Sequence, residues 1–178
     1  MTLRTPSTPP PLPARRPSWQ FMQSHPAHWI ALGFGSGLSR VAPGTAGTLW
    51  AWLTYALVLT HCSDALMFWL MPAAFVLGWW ACTLTARHMD VADPGSIVWD
   101  EVLAFWLVLW LLEPAGFWQQ ALAFALFRYF DAAKPGPVAW ADGLFKGFGW
   151  RGGLGILWDD LVAAFCTLLV FALWRIIV

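Results

Sequence analysis

The sequence predicts an all-α fold: a polytopic integral membrane helical bundle of about five spans, with its N-terminus in the cytosol. Three observations predict it. Hydrophobic residues make up 59% of the 178 and charged residues only 11%, against about 25% charged in an ordinary soluble domain. Long apolar runs recur at about 48–60, 66–86, 97–112, 117–130 and 154–177, and a helix crossing a bilayer needs about 20 residues. The basic residues then fall almost entirely on one side of the implied topology. The 15 Trp fit the same class, because indole settles where the bilayer meets water. Ten basic and ten acidic residues cancel, and no basic patch is interleaved with exposed aromatics, which excludes nucleic-acid binding.

Residues 1–25 read as a Pro-rich disordered cytosolic tail and 26–178 as the membrane-embedded domain. The tail holds Pro6, Pro9, Pro10, Pro11, Pro13 and Pro17 with Arg4, Arg15 and Arg16, but no apolar run for a signal-peptide core. Trp29 to Leu38 is apolar and glycine-rich. The first span borrows residues from its flanks to reach length, and Glu113-Pro114-Ala115-Gly116 reads as a tight turn between the antiparallel third and fourth. Neither a repeat nor a second domain is visible. With the N-terminus inside, the inner segments hold Arg4, Arg15, Arg16, Arg40, Arg87, Arg128, Lys134, Lys146 and Arg151, and the outer segments only Arg175.

Eight of the ten acids, Asp90, Asp93, Asp100, Glu101, Asp131, Asp142, Asp159 and Asp160, fall on that same side, leaving Asp64 and Glu113 opposite. Insertion rules do not sort acids, so the asymmetry needs another cause. Asp100-Glu101 lies about one turn into the third span, and Asp159-Asp160 is read at the start of the fifth. A carboxylate at the bilayer centre costs about 2.5–3.5 kcal/mol on insertion scales, so these four require water, a cation, or both. Adjacent helical residues differ by about 100°, so each pair is expected to send one carboxylate across the helix interface and the other to the flank. Clustered oxygen ligands without thiolate or imidazole favour a hard cation such as Mg2+. Acids facing helix N-termini are the alternative, which accounts for one acid per helix more easily than for two.

A second constellation runs Gly33-Phe34-Gly35-Ser36-Gly37-Leu38-Ser39-Arg40 and on through Pro43-Gly44-Thr45 to Thr48. Glycine N–H groups, hydroxyls and Arg40 can cradle a phosphate. Gly33 and Gly37 at GxxxG spacing serve tight helix packing equally. The loop is neither a Walker A nor a dinucleotide fingerprint. A third piece holds Arg128, Asp131, Lys134-Pro135 and Lys146, where the cations suit a substrate phosphate or lipid headgroups. Cys62, Cys82, Cys166 and the four His are scattered, and none is assigned to a metal.

Taken together, GFGSGLSRVAPGTAGTLWA, DPGSIVWDEVLAFW, FRYFDAAKPGPVAW and GGLGILWDDLVAA resemble the phosphatidylglycerophosphatase A family over residues 29 to 165. The resemblance implies a Mg2+-dependent membrane phosphatase that turns phosphatidylglycerophosphate into phosphatidylglycerol at a bacterial inner membrane, its site facing the cytosol. It places the family's acidic motifs on Asp93, Asp100, Glu101, Asp159 and Asp160, its APGT loop on Ala42 to Thr45, and its Lys-Pro on Lys134-Pro135. Arg40 stands where Lys or Pro is commoner, Ala104 and Ala163 replace usual glycines, and about five extra residues lengthen the loop at Phe148 to Arg151.

Phosphate monoesters hydrolyse very slowly unaided, so charge neutralisation and in-line positioning are the tasks. The expected metal ligands are Asp100, Glu101, Asp159 and Asp160, with Asp93 a lesser ligand or base. Arg40, Gly44, Thr45, Thr48, Arg128 and Lys134 are expected to grip the phosphate. The chain has no DxDx[TV] motif, no CX5R loop and no paired His and Arg motifs, which leaves a metal-carboxylate phosphatase. Two rivals are a small cation transporter built on the intramembrane acids and a scaffold acting through the tail.

Overall fold

The computed structural model describes residues 16–177, so most of the expected tail, residues 1–15, lies outside it. Among the described residues every regular element is helical. The elements are α1 (Trp19–Gln23), α2 (Pro26–Ala31), a 3-10 segment (Gly33–Leu38), α3 (Pro43–Leu57), a 3-10 turn (Leu59–His61), α4 (Asp64–Met89), α5 (Trp99–Leu112), α6 (Phe117–Ala133), α7 (Pro137–Leu144) and α8 (Gly149–Ile177).

Local chemistry sets the helix ends. Ser63 caps α4 by accepting from the Leu66 N–H at 3.3 Å. Pro43 and Pro137 open α3 and α7, where a missing N–H costs nothing. Asp90 and Lys134 close α4 and α6 in the left-handed region, with φ of 53° and 45°. At about 1.5 Å per residue, α4 and α8 are about 39 and 44 Å long, more than the ~30 Å hydrocarbon layer. These two are long and apolar enough to cross a membrane. The 15, 14 and 17 residues of α3, α5 and α6 rise only about 22, 21 and 26 Å.

Helix α5 is the hub and packs against α3, α4, α6 and α8. Nine of its 14 residues are buried, whereas α4 exposes Phe68, Trp69 and Val76 and α8 exposes Phe165, Leu173 and Ile176. Ala104 of α5 and Ala163 of α8 are fully buried, so their methyls fill helix contacts. Only six Trp are exposed: Trp19, Trp69, Trp118, Trp140, Trp150 and Trp174. Others staple helices through the indole N–H: Trp52 donates to Gln120 Oε1 (2.7 Å), Trp106 to Thr54 Oγ1 (2.9 Å) and Trp99 to the Ala74 carbonyl (3.1 Å). Abundant Trp therefore reflects interior stapling as well as surface anchoring.

Helical structure is already present before the expected boundary at residue 26, in α1. Ser18 accepts from the Phe21 N–H, and Met22 is fully buried. Behind this lies His28, 1% exposed, with Nδ1 on the Phe21 carbonyl (2.8 Å) and Nε2 on His88 Nδ1 (2.9 Å). The His25, His28 and His88 rings lie 5.1–5.8 Å apart, so histidines scattered in sequence gather where α2 meets the end of α4. Burial holds His28 below the usual histidine pKa.

The two acids set apart from the rest each find a partner. Glu113 Oε1 accepts from Tyr55 Oη at 2.6 Å and from Thr60 Oγ1 at 3.4 Å, and Asp64 Oδ1 accepts from Trp110 Nε1 at 3.1 Å.

Candidate active site

The loop between α4 and α5 sets the position of the first acidic pair. The Val98 N–H donates to the Ala31 carbonyl at 2.9 Å. Gly47 of α3 lies so close to Val98 that a Cβ there would sit 2.7 Å from the valine Cβ. These contacts drive the first turn of α5, with Asp100 and Glu101, against the start of α3. There Gly44 leaves the space that the Glu101 carboxylate and the Arg128 guanidinium occupy, and an added Cβ would overlap Glu101 Oε1. Thr48 Oγ1 donates to the Gly44 carbonyl at 2.8 Å and accepts from Arg128 Nη1 at 3.4 Å. Arg128 also pairs with Asp131 and stands 3.7 Å from Glu101 Oε1.

The second pair arrives on α8. The structure corrects its position: α8 starts at Gly149, so Asp159 and Asp160 lie about three turns in and not at the helix start. A helix dipole acts within the first turn, so it cannot offset these two charges. Asp160 turns inward, and its carboxylate with those of Asp100 and Glu101 offers three oxygens within 4.8 Å of one another. Asp159 turns to the flank and accepts from Lys134 Nζ, which also donates to Asp142 at 2.5 Å. The 100° offset thus separates the α8 pair as expected. It does not separate the α5 pair, because Glu101, one methylene longer, reaches round to join Asp100.

Asp100 Oδ1, Glu101 Oε2 and Asp160 Oδ2 are buried and accept no hydrogen bond. Carboxylates buried this close together need a proton, a cation, or both among them. A hard, oxygen-seeking divalent cation answers that need, and with few carboxylates it keeps positions for water and a phosphate oxygen. The donor set fits Mg2+.

Around this centre the cations are held in place. Burial disfavours the Lys134 ammonium, but its bonds to Asp142 and Asp159 prevail and hold its pKa above the usual lysine range. Burial likewise works against the Asp142 carboxylate, but Lys134 and Lys146 outweigh it and hold its pKa below the usual range. Lys134 therefore stays charged and fixed beside the carboxylates.

Not every expected residue joins the cluster. Asp93 is exposed and outside the three-carboxylate group. It lies between two cavities, one of about 50 Å3 shared with Asp142, Lys146 and Asp159, the other of about 340 Å3. Arg40 is exposed and lines the larger cavity, away from Asp100, Glu101 and Asp160. Thr45 stands half-buried in the first turn of α3. Asp131 and Asp142 were not among the expected site residues, although Arg128/Asp131 at i,i+3 and Asp142/Lys146 at i,i+4 are readable helical charge pairs.

A helical frame with two span-length apolar helices encloses a buried carboxylate cluster rimmed by fixed cations, an arrangement that suits hydrolysis of phosphate esters, and the chain's relatives make it a phosphatase. It belongs to the Phosphatidylglycerophosphatase A family, whose sequence profile matches residues 29–175. It is similar to Phosphatidylglycerophosphatase A of Escherichia coli strain K12, 40% identical over 141 residues that cover 79% of this chain and 78% of that one. The Haemophilus influenzae protein of the same name is 39% identical over 151 residues, 84% of this chain and 89% of that one. A Bacteroides thetaiotaomicron relative, whose name proposes it as a phosphatidylinositol-3-phosphatase, is 34% identical over 152 residues, 82% of this chain and 91% of that one. No solved structure matches.

Proposed function

We propose that this protein removes the terminal phosphate of phosphatidylglycerophosphate to give phosphatidylglycerol, using Mg2+, at the cytosolic face of a bacterial inner membrane that it crosses five times. The observation that carries the reading is the clustering of the Asp100, Glu101 and Asp160 carboxylates from α5 and α8, each of which also has a buried oxygen with no hydrogen bond. Asp100, Glu101 and Asp160 would hold the ion. When bound, Mg2+ supplies charge neutralisation at the phosphoryl oxygens and a site that orients water. Asp159 serves the ammonium rather than the ion: with Asp142 it aims Lys134, which neutralises phosphate oxygens beside the cluster. Arg128, anchored by Asp131 and Thr48, keeps Glu101 in register and offers its remaining N–H groups to the same phosphate. The choice of a glycerol headgroup follows the names of the relatives at 40% and 39% identity.

A cation transporter would need polar groups continuing across the membrane. Beyond the cluster, α5 runs from Val102 to Leu112 and α8 from Leu161 to Ile177 without an acid.

The test is phosphate release from phosphatidylglycerophosphate in detergent micelles by the purified protein, first with Mg2+ and then with EDTA. Release that stops with the chelator and returns with Mg2+ is expected. No release by folded protein, or release indifferent to EDTA, overturns the reading.

A further inference from the structure

The substrate of this reading carries two phosphates joined by glycerol: a terminal monoester that is hydrolysed and a diester that remains. The carboxylate cluster with Lys134 and Arg128 accounts for one of them. A separate cavity of about 340 Å3, within the ~300–1,000 Å3 of small-molecule pockets, is lined by Arg16, Arg40, Ser39, Ser96 and Asp93 among others. Arg16 Nη1 donates to the Arg40 carbonyl at 3.2 Å, which fastens it to the loop. Among the described residues neither arginine forms a salt bridge, so two arginines without an acidic partner line this space together with one carboxylate residue, Asp93.

The cavity also lies beside residues that flank the carboxylate cluster. Asp93 lines both this cavity and the smaller one, which Asp159 also lines. Pro43 of the larger cavity precedes Gly44, against which Glu101 and Arg128 rest. Resting on the function proposed above, we infer that this cavity is a second phosphate subsite, in which Arg40 and Arg16 hold the diester phosphate while the monoester lies at the carboxylates. Paired N–H groups of arginine suit a phosphodiester, and Asp93 accepts from the free hydroxyl of the glycerol that joins the two phosphates. A lipid with one phosphate puts nothing here, so the subsite is a device of selectivity. Arg40 and Arg16 bind substrate without touching the reacting atoms.

Kinetics of Arg40→Gln and of the Arg16→Gln/Arg40→Gln double variant, on phosphatidylglycerophosphate and on phosphatidic acid, test it. The wild type should prefer the two-phosphate lipid. In the variants the ratio of kcat/KM between the two substrates should fall about tenfold or more, through a higher KM for phosphatidylglycerophosphate at near-constant kcat. Inhibition by the product phosphatidylglycerol, which keeps the diester, should weaken by the same factor, and inhibition by inorganic phosphate should not. Arg40→Lys should recover part of the ratio, since it restores charge without the fork. Equal losses on both lipids would put Arg40 on the reacting phosphate, and an unchanged ratio would leave the cavity outside recognition; either overturns the subsite. A wild type that hydrolyses phosphatidic acid but not phosphatidylglycerophosphate overturns the functional reading and the subsite with it.

Discussion

At Gly44 a single methyl group has no room. An added Cβ would overlap the Glu101 carboxylate and lie 3.1 Å from the Arg128 guanidinium, so Gly44→Ala must displace one of the three carboxylates that share the centre. Interiors yield little to such overlap, and polar groups forced apart lose their geometry first. We expect Gly44→Ala to lower Mg2+-dependent turnover by about tenfold or more while the helical circular dichroism stays native, in line with 10- to 100-fold losses when ligand-supporting contacts are removed. Full turnover would mean that Glu101 is not held by this contact. Glycine here acts by absence of volume: Gly44 has an ordinary backbone, and only its neighbours reveal why it is glycine. The sequence places it in a loop that could cradle phosphate or pack helices, and packing against a functional carboxylate joins those two readings.

Helices α6, α7 and α8 are tied at one end by Lys134, Asp142, Asp159 and Lys146. Asp142 has a depressed pKa, so its contribution is complete above the usual carboxylate value of about 3.9 and is lost as pH falls through the lower folded value. Lys134 has a raised pKa, so its share is complete below about 10.4 and is lost only above that. The difference in melting temperature between wild type and Asp142→Asn should therefore be constant from about pH 5 to 9 and shrink below about pH 4. A difference that instead grows on acidification contradicts the clamp. The sequence showed α4, α5 and α6 to within three residues, because apolar runs and Pro or Gly punctuation mark their ends, whereas α3 and α8 each start five residues before the runs that mark them. The short helices α1, α2 and α7 and the start of α8 were hidden. Pro135 and Pro137 mark the end of α6, but Pro137 also opens α7 as its first residue. Gly152 and Gly153 fall before the last apolar run, at 154–177, but they lie inside α8. Gly153 lets the helix approach Thr83 of α4, and Gly155 lets it approach the Phe145 backbone.

The whole molecule has two unlike ends. One gathers the carboxylates, their cations and both cavities; the other pairs Glu113 and Asp64 with Tyr55 and Trp110. The five-span, N-inside topology proposed above would put the first end in the cytosol. A single added thiol tests this, since Ser39 and Ser63 stand on opposite sides of α3. In a background without the native cysteines, Ser39→Cys should react with a membrane-impermeant reagent only in inside-out vesicles, and Ser63→Cys only in right-side-out ones. The reverse pattern would put the site outside, and labelling of both from one face would break the span count. At this scale the site was legible in part. Burial cost alone marked Asp100, Glu101, Asp159 and Asp160, because carboxylates inside apolar runs need an explanation. Which of them share one centre depends on the angle at which α8 meets α5, and that is set by packing over the whole bundle.

The division of labour within Asp159-Asp160 is the claim on which the account turns, and Mg2+-titrated phosphate release by the two Asn variants tests it most directly. Asp160→Asn removes an oxygen from the three-carboxylate centre and is expected to cost about 10²–10³-fold in kcat, as loss of a group stabilising reacting charge does. Asp159→Asn loosens only Lys134 and is expected to cost about 10- to 100-fold, with the Mg2+ concentration for half-maximal rate near that of the wild type. If Asp159→Asn instead matches Asp160→Asn in lost turnover and in raised Mg2+ requirement, Asp159 is a ligand and the centre described here is wrongly drawn.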